Sequence, residues 1–418
     1  MKFYHNISKL YTPIGFTRAK GALAMGQIRE ITNAAILTDD DGLIEAVGTY
    51  AEVAVKLAAA PWSPDAINCR GLVALPGFVD SHTHAVFMGE RSMEFGLRAE
   101  GRSYQEIAQA GGGIRSSVEQ VRGATAEQIA DYSRKYILSA LKLGTTTLEV
   151  KSGYGLTAES ELALLQAAAQ LGRETPMEIH TTFLGAHAVP KGVTQADYVH
   201  QVIHDQLPKV VKQNAAAFCD VFCDEGYFTN QETREILLAA ENSGLKLRMH
   251  ADELADTGGA SLAVELRAYS ADHLLKVSDA GIQALAASDR TIATLLPTTA
   301  LSLRAPYAPA RSLIDAGAAV AIATDCNPGS SMTENMQFVM TLAVIGMQMS
   351  VQEALTAATL NGSAALGLER THGTLELGKR ADFVLYDIPS LAYLPYHIAV
   401  SDVISVIKNG MIVSGEQL

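Results

Sequence analysis

A chain of 418 residues that is 48% hydrophobic and 18% charged carries enough apolar material for a large core and excludes a disordered protein. Its formal net charge of −13 argues against nucleic acid or an anionic membrane as the main partner, since both select basic surfaces, and favours a small-molecule substrate. Cys69, Cys219, Cys223 and Cys326 form no CxxC pair and read as reduced thiols; with no signal-like apolar core at Met1–Asn6 and no long apolar run, a cytoplasmic protein is expected.

In chain order, the first elements lie within Ala34–Gly48, two short β-like runs around an acidic turn that contains Gly42. From residue 73 onward, short runs rich in Val, Ile, Leu and Thr alternate with stretches of helical period, as in βαβ units around a parallel sheet. Eight strands are predicted: Val73 to Val79, Thr145 to Val150, Met177 to Phe183, Phe218 to Phe222, Leu245 to Met249, Ala268 to Ala271, Thr291 to Leu296, and Ala319 to Ala323. Between the first two, Thr125-Ala-Glu-Gln128 reads as a capping box, and Ile129, Tyr132, Tyr136, Ala140 and Leu143 recur at helical spacing until Gly144 stops the helix. Eight strands in series favour a closed (β/α)8 barrel over an open doubly wound sheet. Ala381–Tyr386 and Val403–Val413, the latter folded at Asn409-Gly410, predict further strands. The expected architecture is a TIM barrel over 73–374 with a small β-sandwich assembled from 1–72 and 375–418.

The chemistry-bearing residues fall at predicted strand ends. His82 and His84, two apart after the first strand, point to one face. His250 ends the fifth strand, His273 the sixth and Asp325 the eighth, all on the face where barrel enzymes build active sites. Imidazoles with a carboxylate suit zinc or iron, and an open coordination position would make the site catalytic. The fourth strand ends Phe222-Cys-Asp-Glu225 with no lysine to bridge a second ion, so one metal is expected. Lys151 reads as a salt-bridging barrel residue. Gly111-Gly-Gly113 lacks the strand and helix of a dinucleotide loop and reads as freedom for an active-site loop to move.

The His82-x-His84 pair, His250, His273, Asp325 and the tail Gly373–Tyr386 resemble the amidohydrolase superfamily. Ala85–Arg91, Ala110–Ile114, Glu149–Gly155, Thr182–His187 and Asp325–Ser331 are similar to those of its members that open the imidazolone ring in histidine degradation. The likeness is read from about residue 70 to the C-terminus. It implies hydrolysis of 4-imidazolone-5-propanoate to N-formimidoyl-L-glutamate with one zinc or iron ion. Matching positions imply His82, His84, His250 and Asp325 as metal ligands, and Arg91, Tyr154, His187, Glu253, Asn327, Gly329 and Ser330 as substrate contacts. Cys326 departs from the family pattern, which has an aromatic residue there, and is expected to alter packing beside the metal.

A neutral ring carrying a propionate needs a cation, and Arg91 can grip a carboxylate through two N–H groups, with Tyr154 sharing it. Glu253 is the expected proton carrier, His187 or His273 the group that polarises the ring carbonyl, and Asp325 completes the catalytic set. The competing enzyme reading is a cytosine- or guanine-type deaminase, against which Arg91 argues; a silent scaffold is disfavoured because every ligand position is filled. A homodimer remains open.

Overall fold

The computed structural model describes residues 1–58, 63–102, 106 and 112–418. Eight parallel strands lie side by side in chain order: β1 (Phe78–Asp80), β2 (Thr145–Lys151), β3 (Glu178–Ala186), β4 (Phe218–Cys223), β5 (Lys246–Ala251), β6 (Ser270–His273), β7 (Ile292–Leu295) and β8 (Val320–Ile322). All seven residues of β2 are buried. Leu148 and Val150 join the large apolar core, while the alternate residues Thr147, Glu149 and Lys151 belong to the opposite face and are polar. The seam between β8 and β1 is fastened just beyond the strand ends. Asp325 donates its N–H to the His82 carbonyl at 3.0 Å, His84 to the Cys326 carbonyl at 2.9 Å, and the Asp80 carboxylate accepts from the Thr324 N–H at 3.0 Å and hydroxyl at 2.6 Å.

The helix over Ala126–Lys142 starts as its sequence dictates, with Thr125 and Gln128 satisfying one another's backbone N–H groups. Gly144, at φ +96°, ends the turn that leads into β2. The single strand expected over Val73 to Val79 is two strands. Val73–Pro76 pairs with Lys2–Pro13 and Phe383–Tyr386 in the terminal sheet, and the chain then crosses into β1 at Gly77. A Cβ on Gly77 would run into the buried Thr146 side chain, which would have to shift, so the crossing favours glycine. We propose Gly77 as the junction between the two units, in place of the expected boundary at residue 73.

The terminal strands form a second sheet in the order Met411–Gly415, Val403–Lys408, Phe383–Tyr386, Val73–Pro76, Lys2–Pro13, Ile28–Thr38, Ile44–Thr49, with Asp65–Asn68 also on Lys2–Pro13. Its far edge curls back: Ile44 N–H meets the Lys379 carbonyl at 2.8 Å, enclosing Tyr4, Ile36, Phe383 and Ile407. The Asn409-Gly410 turn has φ values of 49° and 70°, the geometry of a two-residue hairpin. Lys2–Pro13 escapes a reading by alternation because its register shifts between Tyr4 and Ile7, with Asn6 at φ 58°.

An ionic cluster joins the two units at the far end of the barrel. Lys408 lies 2.7 Å from Glu178 at the start of β3 and 2.6 Å from Asp382, and His372 lies 3.0 Å from Glu178. Lys408 therefore fills the cation position that Glu178, His372 and Asp382 would otherwise offer a metal. Its replacement, Lys408→Met, is expected to cost about 3 kcal/mol, because it strands a buried carboxylate; denaturant unfolding measures this, and a loss below about 0.5 kcal/mol would contradict it. Burial alone would raise the Glu178 pKa, but hydrogen bonds from His180 and His372 and the Lys408 charge hold it far below its ordinary 4.5. The stability it contributes is complete above pH 4.5 and drains away as the pH falls below that value.

Candidate active site

His82, His84, His250, His273 and Asp325 converge at the C-terminal mouth of the barrel, all of them buried. His82 Nε2 and His84 Nε2 stand 3.5 and 3.6 Å from the same Asp325 oxygen. The His82 ring centre lies 4.6 Å from that of His250 and 5.4 Å from that of His273. Two overlapping donor sets share His82, one with His84 and Asp325 and the other with His250 and His273. Burial holds His82, His84 and His273 well below the ordinary imidazole pKa, so they are neutral, the form that ligates metal. His82 Nε2 is buried without a hydrogen-bond partner among the described residues, a cost a bound cation would relieve. The donor set therefore fits a transition metal. Asp325 and His273 adopt positive φ, 50° and 77°, so the backbone is strained where these strands end.

A layer of buried charge lies beneath these side chains. Asp272 accepts from His82 Nδ1 at 2.7 Å, and Asp220 faces His250 Nδ1 at 3.0 Å, turning each Nε2 inward. Lys151 and Arg248 balance these carboxylates and Glu149. Lys151 lies 2.8 Å from Asp220 and 2.9 Å from Glu149, and Arg248 lies 3.2 Å from Asp272. Burial works against the His250 cation, but the Asp220 charge outweighs it and raises the pKa. The Asp325 carboxylate accepts from the Thr299 hydroxyl at 2.6 Å.

Glu253 follows β5 in a loop pinned by Asp224, whose carboxylate accepts three consecutive backbone N–H groups from Glu253, Leu254 and Ala255. Its own carboxylate lies 3.5 Å from His273 Nδ1. Burial, reinforced by the Asp325 charge, pushes Glu253 up to about 8. His187 Nδ1–H donates to the Gly153 carbonyl at 2.9 Å, and burial lowers its pKa to about 3. Tyr154 stands 5.6 Å from the His84 ring and 5.5 Å from that of His187. Its loop is fixed by buried Glu161, which accepts from Gly153, Gly155 and Leu156 N–H at 2.8, 2.8 and 2.7 Å.

Arg91, Gly329 and Ser330 line a cavity of about 820 Å³, within the range of small-molecule sites. Thr298 and Ser331 also line it, and both hydroxyls donate to the carbonyl of Thr324, one residue before Asp325. The Asn327 side chain is engaged within its own loop, accepting from Gly329 and Ser330 N–H at 2.8 and 2.7 Å and donating to the Asp325 carbonyl. Cys326 is buried, with its thiol 3.9 Å from Glu334. Of the glycine run, Gly111 lies outside the described residues, as does Ala110 of the Ala110–Ile114 stretch.

The sequence profile of the amidohydrolase family matches residues 73–414. The chain belongs to this family. It is 48% identical over 409 residues to an imidazolonepropionase of Syntrophobacter fumaroxidans, covering 97% of this chain and 96% of that one. An imidazolonepropionase of Porphyromonas gingivalis is 44% identical over 414 residues, covering 98% and 97%. The likeness thus reaches into the first 70 residues, beyond the span legible in the motifs. Among solved structures, a zinc complex of atrazine chlorohydrolase from Arthrobacter aurescens superposes with a TM-score of 0.69 at 19% identity over 99% of this chain and 95% of that one. Guanine deaminase of E. coli gives 0.68 at 17% over the whole of both chains. These two neighbours establish a shared fold.

Within this amidohydrolase, sequence reasoning missed the groups that orient the others. Asp220 sits in mid-strand and Asp272 immediately precedes His273; their signal is a carboxylate at an inward-facing strand position, where an apolar residue would ordinarily stand. Glu161 carries no motif and is recognisable only through the three N–H groups it satisfies.

Proposed function

We infer that this chain hydrolyses the ring carbon–nitrogen bond of 4-imidazolone-5-propanoate, giving N-formimidoyl-L-glutamate. The near full-length identity to imidazolonepropionases carries this reading. The arginine in the cavity wall supports it, since a propionate needs such a group and a cytosine or guanine base does not.

The residues suited to hold one zinc or iron ion are His82, His84, His250 and Asp325. Bound there, the ion supplies Lewis acidity and draws the pKa of water toward neutrality. Arg91, with Tyr154, holds the propionate and sets the ring against the histidines. The Gly153 carbonyl fixes the His187 proton on Nδ1, so Nε2 is an acceptor suited to a ring N–H. That leaves His273, beside Glu253, for the oxygen that gains charge as the carbonyl becomes tetrahedral. Glu253 takes a proton from the water as its oxygen bonds to the carbonyl carbon and returns that proton to the ring nitrogen as the carbon–nitrogen bond breaks; the former carbonyl carbon is left as a carboxylate, its remaining proton passing to solvent. Gly329 and Ser330 contact the substrate from the cavity wall, in a loop whose N–H groups Asn327 holds in place.

Ultraviolet decay of enzymatically generated imidazolone propanoate, with metal analysis of the same sample, tests this. Turnover of cytosine or guanine with none of the imidazolone would overturn it. Arg91→Met is expected to raise KM by about tenfold to a hundredfold with a smaller change in kcat, the signature of a lost ground-state contact; an unchanged KM would remove Arg91 from the carboxylate site.

A further inference from the structure

Arg91 precedes the helix Ser92–Ala99, and its side chain turns back on Glu94 in the first turn. The pairing is two-pronged: Nε donates to Oε1 at 2.9 Å and Nη2 to Oε2 at 2.7 Å. Both residues are more than nine-tenths buried, Arg91 lining the cavity and Glu94 lying behind it, unlike a solvated i, i+3 surface pair. Glu94 Oε1 also accepts the N–H of Gly113, which opens the helix Ile114–Arg122 at φ +79°. Arg91 Nη1 rests on Gly329, where an added Cβ would fall 2.4 Å away. The guanidinium plane is thus set by a carboxylate on one edge and a glycine backbone on another.

A free arginine side chain has several rotatable bonds to immobilise when it grips a ligand, and an arginine already locked loses less on binding. We propose that Glu94 is a positioning residue that fixes Arg91 for the substrate carboxylate and ties that grip to the backbone at Gly113. The proposal rests on the imidazolone reading above. Glu94 touches neither the ring nor the metal ligands in this role; it acts through Arg91. Its effect should therefore follow the carboxylate of the substrate, whereas a merely structural residue would weaken every substrate alike.

The test compares wild type, Glu94→Gln, Arg91→Met and the Arg91→Met/Glu94→Gln double variant on 4-imidazolone-5-propanoate and on the same ring without its propionate. Glutamine keeps the shape and the acceptor for Gly113 but removes the charge, and the double variant avoids leaving a buried carboxylate alone. For Glu94→Gln, a rise in KM of about tenfold is expected on the full substrate, with kcat within about twofold. On the truncated ring, kcat/KM should match wild type, and in the Arg91→Met background the second substitution should add no further loss. Equal losses on both substrates, an unchanged KM, or additive losses in the double variant would each overturn the proposal. A wild-type enzyme inactive on both rings would overturn the functional reading itself, and this proposal with it.

Discussion

Glu253→Gln is expected to lower kcat by about 10²- to 10⁴-fold, the range for loss of a positioned proton carrier, while the protein retains its metal. Glutamine preserves the loop, because the three bonds to Asp224 come from the backbone of Glu253 and its two successors and not from the Glu253 side chain. The sign of the pH dependence follows from the same residue. Burial and the neighbouring Asp325 charge lift Glu253 to about 8, and a metal cation nearby draws it back down. As a base it works only when ionised, so wild-type kcat/KM should rise with pH through that ionisation and fall below it. The glutamine variant should lack this limb. Metal loss on substitution would reassign Glu253 to a structural part, and a retained acidic limb would point to another base.

The second large effect is expected beneath the ligands. Asp272→Ala should weaken metal binding by about ten- to a hundredfold, since His82 loses the acceptor that presents Nε2 to the ion. It also leaves Arg248 with one fewer counter-charge in a fully buried layer, so stability should fall by about 3 kcal/mol or more. Chelator competition measures the first effect and denaturant unfolding the second. Unchanged metal affinity in a folded variant would mean that packing alone orients His82. Asp272→Asn, which keeps an acceptor but not the charge, should fall between the two proteins.

The barrel was legible because its strands are short apolar runs at regular spacing, and the convergence of His82, His84, His250, His273 and Asp325 at its mouth because they follow those runs directly. Position relative to a strand end is a local property that one sequence carries. The carboxylates that turn His82 and His250 were not legible, because a buried aspartate in mid-strand looks like an interruption of the apolar pattern until its partner across the barrel is known. The crossing at Gly77 was missed for a related reason: Val73 to Val79 reads as one apolar run around Pro76-Gly77, and what divides it is that its two halves pair with different sheets. Arg91 was read as a lone cation, while its bond to Glu94 depends on a rotamer that spacing does not dictate. The strand Lys2–Pro13 was lost to a bulge that breaks its alternation.

The fastening between β8 and β1 is where the first and last staves of the barrel meet, and His82 and His84 stand on one side of it with Asp325 on the other. An ion held by all three, as proposed, would rivet that joint, linking segments more than 240 residues apart along the chain. Metal loading would then stiffen a joint that hydrogen bonds already close, and an enzyme stripped of its ion should part first along this line.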